Sequence, residues 1–162
     1  MSSPELHPLL EPLRGLLGTW RGKGEGGFPT LGLFEYTEEA VFEAIHPSKP
    51  VVAYSHKTAR AACGSPMHRE SGFLKALPDG KITWTVAQVT GMAEVADGSW
   101  SAEKGELSTV SRELAGAEKV THVARVYTLS QDKHSLSYTV SMATHAVPQL
   151  TKHLSATLKK AV

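Results

Sequence analysis

The chain has 162 residues, 17 Lys and Arg against 16 Asp and Glu, a formal charge of +1 and a single cysteine, Cys63. That length suits one domain with a sizeable core, read here as residues 1–162, and the near-neutral charge supplies no global field for nucleic acid or an anionic membrane. One cysteine excludes an internal disulfide and suits a reducing, cytoplasmic compartment; no apolar run can span a bilayer, and prolines at positions 4, 8 and 12 interrupt any signal-peptide pattern.

Leu6, Leu9, Leu10, Leu13, Leu16 and Leu17 fall at helical spacing, which predicts a short amphipathic helix ended by Gly18. Pro8 is tolerable in a first turn, while Pro12 divides the segment into two short turns. Next comes a glycine-punctuated stretch, Gly18 to Thr30. Trp20 offers a large apolar body for the floor of a core, and Gly22, Gly24, Gly26 and Gly27 allow a kinked strand with close approach of its neighbours. A phosphate-binding loop would need a Gly-Lys-Ser/Thr ending and a following helix, and neither is there.

Strand follows strand from there: Phe34 to Phe42, Val51 to Arg60, and Met67 to Leu77 closed by the turn Pro78-Asp79-Gly80. Lys81 to Val89 puts Ile82, Trp84, Val86 and Gln88 on one face. Thr90-Gly91 turns into Met92 to Val95, and Asp97-Gly98 reads as a hairpin into Ser99 to Ser101. Glu106 to Leu114, Val120 to Ser130 and Ser135 to Thr144 complete the set. Short strands with turn signals every few residues predict an all-β fold, a ten-stranded antiparallel up-and-down β-barrel closed on itself and wide enough for one small ligand. After Pro148 the period changes. Leu150, His153, Leu154, Thr157 and Leu158 predict a short C-terminal helix with His153 on its apolar stripe.

No HExxH or CxxC pattern, paired helical histidines or serine nucleophile elbow is present, which argues against a zinc site or a hydrolase. Glu38 and Glu39 point to opposite strand faces and cannot cooperate directly. A histidine among leucines is most often a packed core residue, yet an imidazole facing an apolar barrel is also what haem iron needs as a proximal ligand. Met142 shares an inward face with Leu136, Tyr138 and Val140 and reads either as core filling or as cavity lining.

Taken together the motifs resemble a known family. Gly18-Thr19-Trp20-Arg21-Gly22-Lys23-Gly24 with Phe28-Pro29-Thr30 is similar to the GxWxGxG…YPT signature of the nitrobindins, small haem-binding β-barrels. Pro66-Met67-His68-Arg69-Glu70-Ser71-Gly72 resembles that family's PMHxESG strand, and Ala87-Gln88-Val89-Thr90-Gly91 with Glu94-Val95 resembles AQxTGxxEV. Ser141-Met142-Ala143-Thr144 and Pro148 through His153-Leu154 resemble its end. The chain departs from the pattern at Phe28, usually tyrosine, at His145, in a threonine-rich stretch, and in one additional residue between Met142 and His153.

The resemblance implies a b-type haem with His153 as metal ligand and catalytic residue, and a mainly ferric iron that binds nitric oxide and isomerises peroxynitrite to nitrate. Thr30 would border the haem, Lys119 would pair a propionate at the mouth, and Met142 would line the cavity. Met67 and His68 would stand on the distal side with only one fully inward. An apolar distal wall is expected, with no general acid. Small-molecule ligands are the expected partners, without nucleic acid or membrane. A haem-based nitric oxide sensor or carrier, and a haem-free carrier of an apolar ligand such as a fatty acid, are the alternatives.

Overall fold

The computed structural model describes residues 2–162. Ten antiparallel strands form one closed barrel: β1 (Gly18–Phe28), β2 (Leu31–Ala44), β3 (Val51–Arg60), β4 (Pro66–Ala76), β5 (Lys81–Gln88), β6 (Ala93–Ser101), β7 (Glu106–Ala115), β8 (Val120–Leu129), β9 (Ser135–Thr144) and β10 (Thr151–Lys160). Each strand pairs with its neighbours in the chain, and β10 pairs with β1, so no edge is left exposed. Among the described residues no helix is long and apolar enough to cross a membrane.

The number of strands agrees with the sequence reading, but two elements differ. Residues 151–160 form strand β10, not a C-terminal helix. Leu154, Ala156 and Leu158 alternate inward while Thr157 is exposed. The apparent helical spacing comes from a bulge: Lys152 pairs with Ser141 and Leu154 with Val140, so His153 is an extra residue, and two consecutive side chains share the inner face. Conversely, Asp97-Gly98 is no hairpin; β6 runs straight through it, with Gly98 opposite both Ile82 and Thr109.

The N-terminal segment Pro8–Leu16 is a 3-10 helix that runs continuously through Pro12. Its buried stripe is Leu10, Leu13 and Leu16, a strict three-residue repeat that suits three residues per turn. The His7 side chain accepts from the Leu9 amide at 3.1 Å and caps its start. This helix closes the end of the barrel at which β1 begins. Trp20, fully buried, donates its indole N–H to the Leu16 carbonyl at 2.9 Å. Phe42, Val52, Leu74, Ile82, Leu107, Leu136 and Leu158 pack in the same core. The opposite end, where β1 meets β2 and β9 meets β10, stays open.

Candidate functional site

The open half of the barrel encloses a cavity of about 580 Å³, within the range of small-molecule sites. Phe34, Met67, Met92, Val120, Val140, Met142 and Leu154 give it apolar walls. His153 lines it because the β10 bulge turns the imidazole inward. The ring is held from two sides. Phe28 meets it edge-on at 5.9 Å between centroids and Phe34 at 6.3 Å. Its Nδ1 donates to the carbonyl of Gly27 at 2.9 Å. A carbonyl can only accept, so Nδ1 carries the hydrogen and a neutral ring keeps its lone pair on Nε2.

Gly27 lies where the β1–β2 register slips between Gly26 and Phe28. The glycine-rich strand therefore presents a carbonyl to the histidine instead of pairing it with β2. Its inner face is bare for a reason as well: a side chain at Gly24 would overlap the Tyr36 ring, and one at Gly26 the Phe34 ring.

Of the other residues singled out in the sequence, Met67, His68, Lys119 and Met142 line the cavity, with Lys119 in the β7–β8 loop. Met67 and His68 do so together, contrary to the strict alternation expected. Thr58 pairs with His68 and Ala59 with Pro66, which leaves Met67 as a bulged residue and allows both neighbours inward. Thr30 is exposed in the tight turn between β1 and β2, outside the cavity lining. His145 is exposed too, outside the cavity lining, and its backbone N–H bonds to the Lys119 carbonyl.

The cavity floor differs from the apolar wall that was expected. Glu38, His56, Glu70, Glu94 and Arg125 are all buried there. His56 stands between two carboxylates, with Nε2 2.7 Å from Glu38 and Nδ1–H donated to Glu70 at 3.0 Å. Arg125 bridges Glu70, at 3.0 Å, and Glu94, and lies 5.4 Å above the Trp84 ring. Tyr138 donates to Glu38 at 2.5 Å and contacts the Tyr36 hydroxyl at 2.7 Å. His68 approaches Glu70 at 3.4 Å. Burial by itself would depress the His56 pKa, but its contacts with Glu38 and Glu70 raise it to about 9. Burial works against the Glu70 charge as well, yet Arg125, with His56 and His68, holds its carboxyl well below the usual range. Sequence reasoning passed over this network. The signal was present: each member occupies an inward position of an alternating strand, as Glu38 does between Tyr36, Ala40 and Phe42.

The model of the THAP4-like, haem-binding β-barrel domain matches residues 9–160. The chain belongs to this family, the nitrobindins. A peroxynitrite isomerase of Arabidopsis thaliana is 44% identical over 158 residues, covering 98% of this chain and 92% of that protein. Peroxynitrite isomerase 1 of Mycolicibacterium paratuberculosis is 39% identical, covering 96% and 97%. The crystal structure of Rv2717c from M. tuberculosis superposes with a TM-score of 0.88 at 34% identity, over 98% of this chain and 100% of that one. The S-type phycobiliprotein lyase of Guillardia theta shares the fold alone, with a TM-score of 0.64 at 10% identity. The residues of this nitrobindin suit a haem on their own terms. An imidazole whose second nitrogen is tied to a backbone carbonyl is the usual state of a metal-ligating histidine, and apolar walls surround it.

Proposed function

We propose that this nitrobindin is a haem-dependent peroxynitrite isomerase in which Nε2 of His153 ligates the iron of a b-type haem. The observation that carries the reading is the His153 Nδ1–H bond to Gly27, which leaves Nε2 as the donor atom and fixes the ring's direction. A non-covalent haem follows from the cysteine count: Cys63 is alone, exposed, and outside any CxxCH pattern. When bound, haem would supply a Lewis-acidic ferric iron able to accept peroxynitrite or nitric oxide.

The chain's own residues do the rest. Phe28 and Phe34 keep the imidazole plane from turning, so ligation costs little reorganisation. Lys119 at the mouth offers a cation to a propionate. Met67, His68 and Met142 wall the space in which the substrate sits. Rearrangement of peroxynitrite to nitrate conserves atoms, charge and protons, so its balance needs no general acid. What the walls contribute is confinement, which keeps both ends of the substrate together while one bond exchanges for another.

The floor offers a fatty-acid carboxylate no free guanidinium, because Arg125 is already taken by Glu70 and Glu94. The test is the absorption spectrum of the protein with hemin beside His153→Ala. A sharp Soret band in the wild type that is lost or shifted in the variant, with peroxynitrite decay falling in parallel, is expected. Identical spectra would overturn the assignment of His153.

A further inference from the structure

Five acidic or basic side chains, Glu38, His56, Glu70, Glu94 and Arg125, lie buried at the cavity floor, and the confinement described above uses none of them. Glu38, Glu70 and Glu94 bring three carboxyl groups, whereas His56 and Arg125 are the two basic groups that meet them. The cluster holds one more acidic group than basic ones. Stability alone gives little reason to keep such a group in a core, because well-packed apolar replacements are often as stable. One further side chain that can carry a positive charge touches the network: His68, half-buried in the cavity wall, with Nε2 3.4 Å from Glu70.

The position of His68 is set from all sides. Its backbone N–H donates to the Thr58 hydroxyl at 3.1 Å, and the bulge at Met67 turns the ring into the cavity. Beside it stand His56 from β3, 5.9 Å between ring centroids, and Glu70 from its own strand; the other charged or proton-bearing groups that line the same cavity are Arg125 from β8, Glu118 and Lys119 from the loop at the mouth, His153, and the tyrosines Tyr36, Tyr127 and Tyr138, with the neutral Gln88 from β5. A carboxylate can only accept, so the 3.4 Å approach of Glu70 to Nε2, an ion-pair contact and not a formed hydrogen bond, favours the Nε2–H form of His68 and leaves Nδ1 with its lone pair. Among the described residues neither ring nitrogen is hydrogen-bonded, and Nδ1 has no ion-pair contact either.

We propose that His68 is the cavity's proton acceptor and that Glu70 is its positioning residue, so that a weak oxyacid is taken up and held as its anion. The inference rests on the peroxynitrite reading and deepens it. Peroxynitrite is the anion of a weak acid, and part of it reaches the cavity protonated near neutral pH. The O–H bond of peroxynitrous acid breaks, its proton passes to Nδ1, and the electron pair remains on the peroxynitrite oxygen. The imidazolium keeps its Nε2–H toward Glu70 and brings the basic groups around the three carboxyl groups from two to three. After nitrate leaves, Nδ1 returns the proton to water.

Two measurements test this. In the haem-free protein, nitrogen-15 NMR of the imidazoles should find neutral His68 in its Nε2–H form. Glu70→Gln should lose that preference, since an amide offers both a donor and an acceptor. A wild-type Nδ1–H form, or one unmoved by Glu70→Gln, would overturn the positioning role. In the hemin-loaded protein, His68→Gln should lose isomerisation rate increasingly as pH falls, by about tenfold more near pH 6 than near pH 8.5. A loss independent of pH would refute the proton step. Absence of isomerisation in the wild type at every pH would overturn the reading beneath it, and the two failures are distinguishable because the NMR experiment needs neither haem nor substrate.

Discussion

His56 shows what a single side chain contributes to the charge balance of the interior. Its folded pKa of about 9 lies above the ordinary 6.5, so the stability it contributes is fully present below pH 6.5 and is lost as pH rises through 9. That amounts to about 3 kcal/mol over the window. The tyrosines around it, Tyr54, Tyr127 and Tyr138, are pushed upward by burial and stay protonated there, so they add no slope. Urea unfolding of the haem-free protein should therefore show stability falling between pH 6.5 and 9. In His56→Gln that fall should be absent, with the variant least stable relative to wild type on the acid side. A pH dependence shared by both would place the slope elsewhere. Residues of this kind were half legible. Alternation correctly separates Glu38 from Glu39, but what Glu38 meets instead is His56, two strand positions out of register with it and on another strand. Such a meeting depends on strand pairing and side-chain reach, which periodicity within one strand does not record.

At the scale of elements, the open rim is built from irregularities. His153 is extra in β10, Met67 in β4, Arg112 in β7 and Thr121 in β8, and the ladder slips again around Gly27 in β1. Each costs ladder hydrogen bonds and re-aims a side chain or carbonyl, and three of the five serve the cavity directly. This also explains what was misread. A bulge places neighbours on one face, which mimics helical spacing, and so β10 looked like a helix. Asp97-Gly98 carries a hairpin signature, yet Gly98 is there because the Ser108 carbonyl packs against its Cα and leaves no room for a side chain. The barrel itself was legible because turn signals such as Pro78-Asp79-Gly80 and Thr90-Gly91 separate its strands. The bare face of β1 makes the next prediction. Gly26→Ala would drive a methyl into Phe34 and Leu154, the residues that flank His153. It should cost about 1–3 kcal/mol in urea unfolding and weaken hemin binding in titration. Gly32→Ala, with open space around it, should do neither.

Across the whole molecule the barrel divides its tasks between its ends. The closed end carries the leucine stripe of the 3-10 helix on Trp20 and the aliphatic core; the open end carries the cavity and His153. Leu13 is 1% exposed, so Leu13→Ala leaves a void at the closed end and should cost about 2–5 kcal/mol. His153 is only half-buried, and removing its bond to Gly27 should cost about 1 kcal/mol in the haem-free protein. Hemin that binds the folded state alone stabilises by mass action, by about 2.7 kcal/mol at a hundredfold excess over its dissociation constant. If the ends are independent, Leu13→Ala should lower stability equally with and without hemin, to within about 0.5 kcal/mol. His153→Ala should instead remove most of the hemin increment while lowering the baseline by only about 1 kcal/mol, and the double variant should show the sum. The buried network lies between the two ends, where Tyr138, Glu38 and His56 span the barrel from β9 to β3. A hemin increment that shrinks in Leu13→Ala would mean that the plug holds that network, and through it the cavity, in its binding geometry.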